Sequence, residues 1–140
     1  MKIYDAENQI LGRLATRIAK DLLNGEKVFV VNVEKAVISG EPKSIVKEYL
    51  RRIHRGDPHK GPFFPKTPEG IFKRAVRGML PWKKAKGREA FKRLKVYIGV
   101  PEEFKGEKFI KIEDADASKL RTKYITLGEL SFRISGKRIA

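Results

Sequence analysis

The side chains in this sequence best equipped to act on a partner are cations set at helical spacing. Lys43, Lys47, Arg51 and Arg55 recur every four residues, with Arg52 and His54 beside them. Lys73, Arg74 and Arg77 follow, and then Lys83, Lys84, Lys86, Arg88, Lys92 and Arg93. Guanidinium and ammonium groups repeated along one side of a helix bind a polyanion, because each neutralises a phosphate and releases a counterion. His59, Lys60 and Trp82 are interleaved with them and offer rings and charge to unstacked bases. All of these residues form the predicted polyanion-contacting set. A place in the core is the competing reading for Trp82, and the rings of Phe63 and Phe64 suit either stacking on a base or anchoring a loop.

Other chemistries lack their parts. His54 and His59, five residues apart with Asp57 between them, have no third ligand at a suitable spacing, so no metal is expected. The acidic turn Glu113-Asp-Ala-Asp116 has no further ligand pattern to hold a cation. Gly12, near a helix start, belongs to neither G-x-G-x-x-G nor G-x-x-x-x-G-K-[ST], which leaves no expected cofactor, although that helix end suits an RNA phosphate. There is no cysteine, no G-x-S-x-G and no H-E-x-x-H. An enzyme and a small-molecule substrate are therefore not expected.

The charge distribution points the same way. The formal net charge is +15, but residues 1–40 carry 6 Lys/Arg against 5 Asp/Glu, residues 41–100 carry 17 against 5, and residues 101–140 carry 9 against 7. A near-neutral scaffold with one basic region is the footprint of binding to a polyanion. Scarce Asn, Gln, Cys and Met amid many charges also fits a heat-resistant source. No stretch reads as a signal peptide or a membrane span, so a cytoplasmic location without membrane contact is expected.

The elements that must position these cations follow from periodicity. Lys2-Ile-Tyr4 predicts a strand, and Leu11, Leu14, Ala15, Ile18 and Leu22 a helix ended by Asn24-Gly25. The run from Lys27 to Val33 predicts a strand of four to seven residues buried on both faces, which makes a βαβ unit. Ala36 to Gly40 is a further short apolar element. Pro42 opens a helix whose apolar side, Ile45, Val46, Tyr49, Leu50 and Ile53, is expected to cover the sheet. A long Pro/Gly loop runs over 56–66, and Thr67-Pro68 caps a third helix with Ile71, Phe72, Ala75, Val76 and Met79 inward. Gly78 and Pro81 break that helix, Lys86 to Leu94 rewinds with Ala90, Phe91 and Leu94 inward, and Lys95 to Ile98 is a strand. Phe109 to Ile112 alternates weakly as another strand, and Thr126-Leu-Gly-Glu129 reads as a capping box before a last helix. The basic pair Lys137-Arg138 closes the chain.

Arg77-Gly-Met-Leu-Pro81, Gly87-Arg88 and Leu94-Lys-Val-Tyr-Ile-Gly99 together resemble the signature of the large-subunit ribosomal protein 13 family. The resemblance extends to Asp5-Ala6, Leu11-Gly-Arg-Leu-Ala15, Val30-Val-Asn-Val-Glu-Lys35 and Ser39-Gly40. Val100-Pro-Glu-Glu103 stands where bacterial members carry a histidine and proline pair, and the loop after His54 differs too, which resembles the archaeal branch. The resemblance implies one domain over 1–140, a three-layer α/β/α arrangement around a mostly parallel sheet of about four strands. It also implies large-subunit ribosomal RNA and neighbouring large-subunit proteins as partners, a part in early subunit assembly, and no catalytic residue or cofactor. A free-standing RNA-binding regulatory protein is the alternative that composition leaves open.

Overall fold

In chain order the elements are Lys2–Asp5 (β1), Leu11–Leu23 (α1), Val28–Val31 (β2), Val37–Ser39 (β3), Pro42–His54 (α2), Pro68–Arg77 (α3), Ala85–Lys92 (α4), Leu94–Val96 (β4), Tyr124–Thr126 (β5) and Leu127–Ser135 (α5). The computed structural model describes residues 1–54 and 65–136. The predicted contacts Arg55, His59 and Lys60, the Phe63-Phe64 pair, most of the 56–66 loop and Lys137-Arg138 lie outside the described residues.

The most continuous apolar run, β2, takes the centre of a parallel sheet between β1 and β4. Lys2 stands opposite Val28 and Asp5 opposite Val31, while Leu94 and Val96 face Val28 and Val30 from the other side. Because successive side chains point to opposite faces, each strand feeds two cores. Tyr4, Val28, Val30 and Leu94 join the large cluster under α1, α3 and α5. Ile3 and Val31 join Phe104, with Phe29 and Tyr97 packed against them.

The α/β class and the mostly parallel sheet are as expected, with two differences of detail. The sheet has three strands, and the expected strand over 109–112 shrinks to a single bridge between Tyr4 and Ile110, held by Asp5 N–H to the Ile110 carbonyl at 3.1 Å and Ile110 N–H to the Ile3 carbonyl at 2.8 Å. The layers are also uneven. One face carries the helices, while the other is covered by the 3₁₀ turn Glu102–Phe104, whose Phe104 ring lies 5.1 Å from Phe29 and 5.7 Å from Tyr97. A second, antiparallel pair joins β3 to β5, with Ile38 opposite Ile125.

Helix α1 buries Leu11, Leu14, Ala15, Ile18 and Leu22 as the spacing predicts, and Asp21 with them. That carboxylate is satisfied from β1: Lys2 Nζ reaches one oxygen at 3.0 Å and the Tyr4 hydroxyl donates to the other. Burial first, and then the adjacent Asp21 carboxylate, push the Tyr4 phenol well above its ordinary range.

Helix α2 departs from its expected role. Its apolar side packs on α5 instead of lying over the sheet, and none of its residues is fully buried. Met79, expected inward, is 42% exposed, and Leu80 at 6% takes the core position instead. The helix ends at Gly78, so the Met79 and Leu80 amides close a tighter turn on Val76 and Arg77, which rotates the two side chains relative to helical spacing.

Candidate nucleic-acid interface

The predicted cations rest on two supports of different depth. On α2, Lys43, Lys47, Arg51 and His54 are exposed and Arg52 is half-buried. Glu48 sits among them and receives Arg51 at 2.7 Å and Arg52 at 3.2 Å. The Arg51 hydrogen bond holds the Glu48 carboxyl below the usual glutamate range, so this acid is ionised and offsets part of the positive face. Arg52 also lies 5.5 Å from the centre of the Tyr49 ring, whose hydroxyl is shifted up by burial.

The second support runs from α3 through a turn into α4. Thr67 caps α3 by accepting the Gly70 N–H at 3.2 Å, with Pro68 as its first residue. After Gly78 the chain bends so that the Trp82 N–H reaches the Leu80 carbonyl at 2.8 Å and the Lys84 N–H reaches the Pro81 carbonyl at 3.0 Å. Helix α4 then comes back over this bend. A Cβ added at Gly87 would overlap the Pro81 carbonyl oxygen, so only glycine permits the approach. Ala90, one turn further, is fully buried.

Trp82 is wedged at the corner of this elbow. Its ring lies under the Arg77 guanidinium, 4.3 Å from centroid to Cζ, and meets the edge of Phe91 at 5.3 Å. Lys73 in turn lies 5.8 Å over the Phe91 ring. The Arg88 guanidinium donates to the Trp82 carbonyl at 3.3 Å. Trp82 is half-buried, so it belongs to the support and keeps part of its surface in solvent. Phe91, expected inward, is likewise only half-buried.

Lys83, Lys84, Lys86 and Lys92 stand on the outer side of this elbow, exposed, and none of the ion pairs among the described residues involves them. Arg74 is exposed on α3. Arg93 is placed otherwise. Its Nη2 donates to the Leu22 carbonyl at 2.7 Å and closes the C-terminal end of α1, so it is committed to the fold.

One cationic element is placed by its spacing outside the apolar side of α1 but lies outside the predicted contacting set. Arg13, Arg17 and Lys20 follow one another along the outer side of α1, and all three are exposed. The near-neutral count over 1–40 concealed them, because Asp21, which cancels one of them on paper, is buried and spoken for by Lys2 and Tyr4. The helical spacing of residues 13, 17 and 20 was the available signal. The acidic turn closes on itself: the Asp116 carboxylate accepts the Ser118 N–H at 2.9 Å and the Asn8 amide at 3.1 Å, and the Ser118 bond lowers its pKa. Among the described residues no helix is long and apolar enough to cross a membrane.

The chain is similar to known proteins along most of its length. The family model described as ribosomal protein L13 matches residues 1–103. The chain is 54% identical over 131 residues to large ribosomal subunit protein uL13 of Archaeoglobus fulgidus, an alignment covering 92% of this chain and 84% of that one. It is 52% identical over 139 residues to the protein of the same name from Methanosarcina barkeri, covering 98% and 99% of the two chains. A third, from Aeropyrum pernix, is 45% identical over 143 residues, covering 96% and 90%. All three relatives are archaeal.

Proposed function

The chain belongs to the ribosomal protein L13 family, and from that membership we propose that it is a structural, non-catalytic constituent of the large ribosomal subunit that binds ribosomal RNA through its basic helices and acts early in subunit assembly. The reading has three physical parts. Lysines and arginines on α2, α3 and α4 meet phosphates and set the orientation of the protein on the RNA. The exposed side of Trp82 meets an unstacked base or sugar. The parallel sheet and α1 hold these surfaces in fixed relation. The place of work is the cytoplasmic ribosome.

The observation that carries the reading is the set of unpaired lysines on a closely packed elbow. An ammonium already paired with a carboxylate gains little from a phosphate, whereas Lys83, Lys84 and Lys86 have no such partner among the described residues. Replacing Lys83, Lys84, Lys86 and Arg88 with Ala in the full chain is expected to weaken binding to large-subunit RNA and to shrink the slope of log K against log salt by roughly 3–4, one unit or slightly less per phosphate contact. A folded variant with an unchanged slope would remove the elbow from the interface. Gradient sedimentation tests the wider claim: the native protein is expected to travel with the large subunit through moderate salt, and a pool that stays at the top would favour a free-standing regulator.

A further inference from the structure

Three hollows on the helical side of the molecule share walls. The first, about 240 Å³, lies between α2 and α3 and is lined by Arg52 and Arg74 together with Tyr49 and Ala75. Tyr49 and Ala75 also line the second, about 450 Å³, which passes the start of α1 at Gly12, Arg13 and Thr16. Arg13 and Thr16 line the third, about 260 Å³, along with Arg17, Lys20 and Asp114. The shared residues set the three hollows side by side in a path across three helices.

The lining of that path is uneven in charge. Among the described residues Arg52, Arg74, Arg13, Arg17 and Lys20 line it with one carboxylate, Asp114, while Glu48 pairs with Arg52 on α2. The Asp114 backbone carbonyl already holds Arg13 Nη1 at 2.7 Å, which fixes the guanidinium at the groove without neutralising it. Positions 13, 17 and 20 fall about one helical turn apart, so a cation recurs every ~5 Å along this wall. The middle of the path is open: a Cβ added at Gly12 would meet nothing within 4 Å.

We infer that this groove seats a single extended strand of RNA, with phosphates against Arg13, Arg17 and Lys20 at one end and with Arg74 and the Glu48-paired Arg52 bordering the other. The inference rests on the ribosomal RNA reading above and adds α1 to the surface which that reading draws on α2, α3 and α4. RNA is favoured over an acidic peptide because the groove continues the elbow: the Thr16 hydroxyl, on the groove wall, lies 3.6 Å from Met79 Sδ in the turn that leads to Trp82. Walls on both sides of a concave path suit one strand, whereas a duplex would lie across the rims.

Two measurements on the full chain test this. In the first, Arg13, Arg17 and Lys20 are replaced together by Ala and binding to large-subunit RNA is followed across a salt series. The slope is expected to fall by about 2, at ~0.7 per single-strand phosphate. In the second, Thr16→Cys supplies the only thiol of a chain that has no cysteine, and an iron chelate tethered there cleaves nearby RNA. Thr16 is exposed and its hydroxyl bonds only within its own helix and to Met79, so the fold tolerates the change. Cleavage is expected over one run of adjacent nucleotides in a single strand. Cleavage split between the two strands of a duplex, or reagent reaching only a neighbouring protein in the assembled subunit, would overturn the inference. So would an unchanged slope for the α1 variant while the Lys83/Lys84/Lys86/Arg88 variant loses binding, and that result would leave the RNA reading standing. If neither variant differs from the native protein, the RNA reading itself fails.

Discussion

Helix α2 and the elbow formed by α3, its turn and α4 are written in the same code, apolar on one side and basic on the other, yet they are built differently. The α2 helix has 13 residues, five of them apolar on one side, and none is fully buried. The α4 helix has 8 residues and buries Gly87 and Ala90 against the bend and the core. Depth of anchoring therefore follows from small residues at close contacts more than from the strength of the amphipathic pattern, because a helix can approach only as near as its bulkiest contacting side chain allows. The charges differ as well. On α2 the ionised Glu48 engages two of the arginines, whereas the elbow lysines are left to a partner.

The largest expected effect tests that difference in anchoring. Gly87→Val places two methyl groups where the Pro81 backbone lies, and neither α4 nor the proline turn can move without unseating Ala90 or Leu80. The cost is expected to be about 3 kcal/mol or more, a fall in Tm of roughly 10 °C. Truncating the α2 side, for instance Ile53→Ala, removes only half-buried surface and is expected to cost about 1 kcal/mol. A thermal or urea denaturation series compares the two. Gly12→Ala serves as the control, because its added Cβ meets open space and a helix gains up to ~1 kcal/mol from losing a glycine. Equal costs at Gly87 and Ile53 would break the contrast.

What the residues reveal about the fold depends on the range of the contacts concerned. Helix α1, the buried β2 strand and the Thr126 cap, whose Oγ1 accepts the Glu129 N–H at 3.2 Å, rest on neighbours in the chain and were legible from spacing. The pairing of β3 with β5 joins residues near 38 to residues near 125, and nothing local encodes it. The weak alternation at 109–112 could not show that β1 would accept only one residue of it. For the site, the cations of α2 and the elbow were legible as helical repeats, but their accessibility was not. Arg93 reads like its basic neighbours and proves to close α1, while Arg13, Arg17 and Lys20 read as the outer side of α1 but stayed out of the predicted set, because an acid whose burial no pattern announced cancelled one of them on paper. Gly87 was visible as part of a resemblance, and its physical reason required the Pro81 contact.

A smaller effect separates the two roles of Trp82. Trp82→Leu removes the cation–π contact with Arg77 and the edge contact with Phe91, each worth about 0.5–1 kcal/mol at an exposed site. The expected stability loss is therefore about 1–2 kcal/mol. If the free side of the ring also meets RNA, affinity falls while the salt slope stays as in the native protein, since stacking releases no counterions. The native chain reports this directly, because it has a single tryptophan. Its fluorescence is expected to change on binding large-subunit RNA, and an unaltered spectrum at saturation would confine the ring to the elbow.

The smallest effect concerns charge alone. Glu48→Gln leaves the α2 backbone intact and frees Arg51 and Arg52 from a shared carboxylate. Affinity for large-subunit RNA is expected to rise about two- to threefold at low salt, with a slope steeper by up to ~1. The sign of the pH dependence follows from the downward shift of the Glu48 carboxyl, caused chiefly by Arg51. Its stabilising contribution is present above the ordinary glutamate pKa and is lost as pH falls through the depressed folded value. Native and Glu48→Gln proteins should therefore differ in stability at neutral pH and converge on acidification. Glu89→Gln on α4 supplies the counterpart: Glu89 is exposed and takes part in none of the ion pairs among the described residues, so its neutralisation should change affinity only through the general field and should leave stability where it was. An equal gain from both substitutions would mean that the Glu48 pairs are not what distinguishes α2, and that the two basic surfaces differ in anchoring alone.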